Sequence, residues 1–145
     1  MPSAPYPRSY PSPAPAPRRG RPVVLVVEDE TDARDAIATM LEDAGYEVLQ
    51  AANGREALRE LADRNGRCDL ILLDLMMPVM NGWDFRRKQR ETLEFAATPV
   101  VLMSAGAHLA IVRAELNAAG HITKPVELDD LLDAVRRHCP ATARG

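Results

Sequence analysis

No stretch of this 145-residue chain approaches the roughly 18 consecutive apolar residues that a membrane span needs. The N-terminus also lacks the apolar core of a secretory signal. Cysteine is nearly absent. Cys68 and Cys139 lie far apart, with no metal-ligand spacing around them. Two such thiols exclude a disulfide scaffold and a cysteine-built zinc site, and they suit a reducing cytosol, so a cytoplasmic location is expected. Basic charge is scarce outside the first 22 residues. Those residues hold Arg8, Arg18, Arg19 and Arg21 and no acid, whereas the chain as a whole carries −3, which leaves −7 on residues 23–145. An acidic domain without clustered Lys and Arg is a poor nucleic-acid binder, because neutralising phosphates needs such clusters.

What is present reads as one domain, long enough to bury about two thirds of its unfolded surface. Residues 1–22 stand apart: a Pro/Ala/Ser/Arg mixture with eight of the twelve prolines. Such a segment cannot build a core and is expected to be a disordered or extended tail, either passive or acting as a docking peptide. Residues 23–139 form the expected domain, and 140–145 a short C-terminal tail.

Within 23–139, apolar runs alternate with helical patterns. Val23 to Val27 is five apolar residues in a row, as in a strand covered on both faces. Thr31 or Asp32 is placed to cap the next helix, with Ala33, Ile37, Met40 and Leu41 inward and Gly45 closing it. Tyr46 to Ala51 is a second strand. Asn53-Gly54 then turns into a helix burying Ala57, Leu58 and Leu61. Asn65-Gly66 turns into the run Leu70 to Leu73, which delivers Asp74 at its end. Pro78 and Asn81-Gly82 are turn chemistry. A helix is expected from Trp83 to Glu91, then a strand from Pro99 to Met103. A helix spans Ala107 to Ala119, a short strand His121 to Thr123, and a last helix runs to Cys139 with Leu128, Leu131, Leu132 and Val135 inward. Five βα units with short connections imply a parallel sheet with helices on both faces.

Ligands of such sheets sit at the carboxyl ends of the strands. There the first strand gives Glu28 and Asp29, the third Asp74, the fourth Ser104 and the fifth Lys124. Three carboxylates packed together repel one another, so at least one pKa should rise, and a divalent cation is the simplest remedy. The Lys124-Pro125 step restricts the backbone, and a lysine suits a phosphate oxygen. Acids, metal, lysine and hydroxyl together describe phosphoryl transfer with a carboxylate nucleophile, leaving an acyl phosphate on Asp74.

The set Glu28-Asp29, Asp74 with Met77-Pro78 and Asn81-Gly82, Ser104-Ala105 and Lys124-Pro125 resembles the receiver domain of bacterial two-component response regulators, in a stand-alone form like the chemotaxis regulators. The resemblance covers Val23 to about Cys139. It implies the flavodoxin-like (βα)5 fold with sheet order 2-1-3-4-5, for which receivers are a standard example. It implies that Asp74 is the phospho-acceptor. Glu28, Asp29, Asp74 and the Met76 main-chain carbonyl would hold Mg2+, with Mn2+ as a substitute. Ser104 and Lys124 would attend the phosphoryl group. The implied donor is a sensor histidine kinase, a histidine phosphotransfer protein or a small acyl phosphate. Output would pass through the face of the fourth helix, fifth strand and fifth helix to a protein target, with His108, Arg113, His121, Arg136 and Arg137 as candidate surface positions. The chain would act as a monomer or weak dimer.

Two departures from the family pattern stand out. The aromatic switch position, three residues before the lysine, is His121. Met76 and Gly106 offer no side chain to orient a water, which favours a long-lived phosphoryl group. Competing readings are a pseudo-receiver acting as an interaction module, an aspartyl-phosphate hydrolase and a flavin binder. The hydrolase needs an acid where Met76 stands. The flavin binder is disfavoured because Glu28-Asp29 would repel a flavin phosphate.

Overall fold

The computed structural model describes residues 21–77, 79–106 and 108–139; residues 1–20 of the expected N-terminal tail, the expected C-terminal tail, Pro78 and the expected helix start at Ala107 lie outside them. Five strands and five helices alternate: β1 (Val23–Val27), α1 (Thr31–Asp43), β2 (Glu47–Ala51), α2 (Gly54–Asp63), β3 (Leu70–Asp74), α3 (Gly82–Glu91), β4 (Val100–Ser104), α4 (Leu109–Leu116), β5 (Gly120–Thr123) and α5 (Leu128–His138). All pairings are parallel, and the order is β2-β1-β3-β4-β5. This is the flavodoxin-like arrangement expected from the sequence.

The apolar runs become the sheet because strands covered on both faces leave no position for a polar side chain. β1 and the four apolar residues of β3 are essentially inaccessible to solvent. The sheet divides the core in two. On one side Val24, Val26, Leu70 and Leu72 meet Ile37 and Leu41 of α1 and Leu131 and Val135 of α5, with Cys139 packed among them. On the other, Leu25, Val27, Ile71 and Leu73 meet Ala57 and Leu61 of α2, Phe85 of α3 and Leu109 of α4.

Some local expectations are corrected. α1 is capped at Glu30 with no side-chain cap bond, so Thr31 and Asp32 lie inside its first turn. β4 is shifted by one residue and takes in Ser104, which pairs with Thr123. α4 stops at Leu116 because Asn117 turns left-handed (φ 53°, ψ 44°), and the next two alanines lead to β5 instead, Ala119 donating to the Val100 carbonyl at 2.8 Å. Leu128 is 46% exposed: it is the first residue of α5, and the buried stripe begins one turn later at Leu131.

Candidate functional site

Parallel strands end together, so the polar residues closing β1, β3 and β4 and those just after β5 gather at one edge. Glu28, Asp29 and Asp74 each bring a carboxylate oxygen within 4.8 Å of the others. Glu28 and Asp74 are buried, while Asp29 faces solvent. Lys124 lies between the two buried acids, its Nζ 2.7 Å from Glu28 Oε1 and 3.3 Å from Asp74 Oδ2. The lysine thus faces Glu28 more closely than the expected Asp74. The Lys124–Pro125 peptide is cis.

This crowding has an electrostatic signature. Burial pushes the Asp74 carboxyl up to about 6, and the neighbouring Glu28 charge adds to it; the Met76 amide and Lys124 pull the other way. Burial alone would lower the Lys124 ammonium. Its bond to Glu28 and the charges of Asp74 and Glu28 outweigh that and hold it above the usual range. The rise anticipated for one carboxylate therefore falls on Asp74. A hard divalent cation fits this donor set, since three carboxylate oxygens and one lysine leave excess negative charge where oxygen ligands converge.

The loop after Asp74 is held tightly. Met76 N donates to Asp74 Oδ1 at 3.1 Å. Asn81 caps α3 by accepting from Asp84 N at 2.9 Å, and Gly82 N donates to the Leu75 carbonyl at 3.0 Å. Gly82 has no room for a side chain: a Cβ there would lie 2.8 Å from Leu75 Cα. Gly54, at the start of α2, is similarly pressed against the loop, where a Cβ would lie 2.8 Å from Met80 Cγ. Val79, a β-branched residue, has φ +67°.

Above Asp74 opens a cleft of about 820 Å3, reaching from the acids past Met76 and Trp83 to Ser104, Leu109, Val112 and Lys124. Ser104 is half-buried there, its Oγ accepting from Gly106 N at 3.2 Å. His121 does not share this cleft. It is half-buried beside α4, its Nδ1 3.5 Å from Arg113 Nη1, in a second cleft bounded by β5 and α5. Of the other surface candidates, Arg136 and Arg137 are exposed on α5 and His108 is exposed beside the main cleft.

Residues 24–136 match the family model described as the response regulator receiver domain. This chain is a receiver. Among curated relatives it is 32% identical over 119 residues to sporulation initiation phosphotransferase F of Bacillus subtilis, covering 81% of this chain and 93% of that one. A probable transcriptional regulatory protein of Picosynechococcus is 37% identical over 123 residues, but there the match covers 78% of this chain and 47% of the relative. The chain thus spans about half the length of several transcriptional regulators it matches. Among solved structures, the Vibrio cholerae chemotaxis protein CheY4 has a TM-score of 0.74 at 32% identity, covering 81% and 98% of the two chains. The receiver domain of a Pseudomonas aeruginosa sensor histidine kinase has a TM-score of 0.73 at 25% identity, covering 81% and 97%; that structure has a magnesium ion coordinated in its active-site cleft.

Receivers are the phosphorelay domains of two-component signalling, and the solved receivers that match this chain include ones that belong to histidine kinases. Receivers generally bind Mg2+ at an acidic pocket, and this one has the acidic cluster. Among the described residues, no helix is long and apolar enough to cross a membrane.

Two features of the site are not singled out by the sequence pattern. Trp83, half-buried in the wall of the cleft, reads in sequence only as the start of a helix. Arg86 and Gln89 read as ordinary polar helix residues, yet both are buried. A signal for them exists: Gly82, Phe85, Arg86 and Gln89 fall at i, i+3, i+4 and i+7, so two long polar side chains sit on the inward stripe of α3.

Proposed function

We propose that Asp74 accepts a phosphoryl group from a phosphohistidine on a partner protein. The observation that carries this reading is the buried Asp74 carboxylate at the floor of an open cleft, sharing Lys124 with Glu28 beside the solvent-facing Asp29. One Asp74 oxygen attacks phosphorus in line. The P–N bond breaks as the P–O bond forms, and the electron pair returns to the imidazole nitrogen. Glu28, Asp29 and Asp74, with the Met76 carbonyl, would hold Mg2+, which supplies charge neutralisation on the phosphoryl oxygens. Lys124, already against Glu28 and Asp74, would pair with a phosphoryl oxygen. Ser104 turns its hydroxyl towards the new phosphoryl group and draws its loop with it.

His121 occupies the switch position, and its contact with Arg113 ties it to α4, so output is assigned to the α4–β5–α5 face. Met76 is exposed and Gly106 has no side chain, which supports a slowly hydrolysed acyl phosphate. The alternative is an interaction module that never carries phosphate.

Incubation with acetyl phosphate and Mg2+, read by intact mass, separates the two. The expected result is one added phosphoryl group, absent with EDTA and absent in Asp74→Asn. No added mass in the unsubstituted chain would favour the interaction module. A labelled Asp74→Asn would remove Asp74 as nucleophile.

A further inference from the structure

A buried guanidinium is costly unless its donors are placed for a purpose. Arg86, on α3, is 6% exposed, and its partners are neutral oxygens. Nε donates to the Leu116 carbonyl at 3.0 Å and Nη2 to the Asn117 carbonyl at 2.8 Å, the two carbonyls at the C-terminal end of α4. Nη1 donates to Gln89 Oε1 at 2.6 Å. Gln89, fully buried one turn along α3, spends its amide on Phe95 and Thr98, donating to both carbonyls at 2.9 Å. Thr98 stands two residues before β4. One pair of α3 side chains therefore holds the approach to β4 and the exit from α4 at once.

Ser104 lies between these two held points, nearer to Thr98 than to Leu116. The parts nearest it are held lightly. α4 has no side-chain cap at His108, and its first turn is held to the core by Leu109 alone. Its other end is fixed three ways: by Arg86 at the helix's negative pole, by the left-handed Asn117 and by Arg113 donating to the Ala119 carbonyl at 3.1 Å. α3 itself starts at Gly82, packed on the loop after Asp74.

We infer that Arg86 and Gln89 are positioning residues that pin both ends of the β4–α4 unit to α3, so that a phosphoryl group on Asp74 moves only Ser104 to Gly106 and the first turn of α4. This rests on the receiver reading for the role of Ser104. The pinning itself does not.

Amide hydrogen exchange on the full chain tests both parts. In Arg86→Met, without ligand, exchange at Arg113 to Ala118 is expected to quicken at least tenfold, with β1 and β3 unchanged. Gln89→Met should do the same at Phe95 to Thr98, and Arg86→Lys, which keeps the charge and fewer donors, should fall between. Unchanged exchange at these sites overturns the inference, and so does equal quickening in every strand, which would mean general loosening. Should Arg86→Met not fold, Arg86→Lys and Gln89→Met decide by the same criteria. With Mg2+ and beryllofluoride, the unsubstituted chain should change at Ser104 to Gly106 and Leu109 to Val112 and not at Arg113 to Ala118, whereas Arg86→Met should change through to Ala118. A change reaching Ala118 in the unsubstituted chain overturns the confinement. No change anywhere removes the phosphoryl reading instead, and the ligand-free comparison still decides the pinning.

Discussion

Asp74 is held against its own chemistry. To attack phosphorus as proposed, its carboxylate must be ionised, yet burial and Glu28 raise it to about 6. The native chain therefore binds more protons than the unfolded chain between about pH 4 and 6, and stability conferred at this position falls as pH rises through that window. Replacing Asp74 by Asn should stabilise the metal-free protein at pH 7 by on the order of 1 kcal/mol, with the gain vanishing below about pH 4. Urea titrations of both chains in EDTA at several pH values check this. A second strained position is Val79, whose φ of +67° a β-branched residue rarely adopts. Val79→Gly should gain about 0.5–1 kcal/mol, with an unchanged denaturant slope. Asp74, Glu28, Asp29 and Ser104 are legible from the sequence because each ends or comes just after an apolar run, and Lys124 because a Lys-Pro step closes the short fifth strand. Their unequal pairing is not. Which acid lies nearer Lys124 depends on side-chain directions at two different strand ends, and no spacing encodes that.

At the scale of elements, helix termini position the site. α3 owes its start to Asn81, whose side chain accepts from Asp84 N. Asn81→Ala should cost about 1 kcal/mol. Because Gly82 ties that first turn to Leu75, next to Asp74, the same change should slow the proposed phosphorylation by acetyl phosphate, measured by mass against time. Helix existence is readable throughout, since α1, α2 and α5 carry plain inward stripes. Ends are harder. Ala118 and Ala119 look helical in isolation, yet the left-handed Asn117 breaks the helix, and β5 begins at Gly120. Leu128 fits the α5 stripe by spacing but lies at the overhanging first turn, where nothing covers it fully. Arg86 and Gln89 sit on a stripe where apolar residues are expected. Their carbonyl partners belong to α4 and the segment before β4, so only the assembled fold reveals their use.

For the whole molecule, alternating βα units leave few topologies open, and the observed β2-β1-β3-β4-β5 order is the one expected. The sheet order also brings the charges at the carboxyl edge together, which makes ligand binding and stability one equilibrium. At pH 7.5, millimolar Mg2+ should raise the melting temperature by about 3–6 °C if the cation is in roughly tenfold excess over its dissociation constant. Asp74→Asn should lose most of that rise, and a scanning calorimeter reads both. The tight backbone approach at Gly54 reaches further than its place in α2 suggests. A random-mutagenesis screen for signalling-dead alleles should return bulky replacements at this codon together with those of Glu28, Asp29 and Asp74, though residue 54 lies outside that acidic cluster, because a large side chain there would push the Met80 segment away from the loop that follows Asp74.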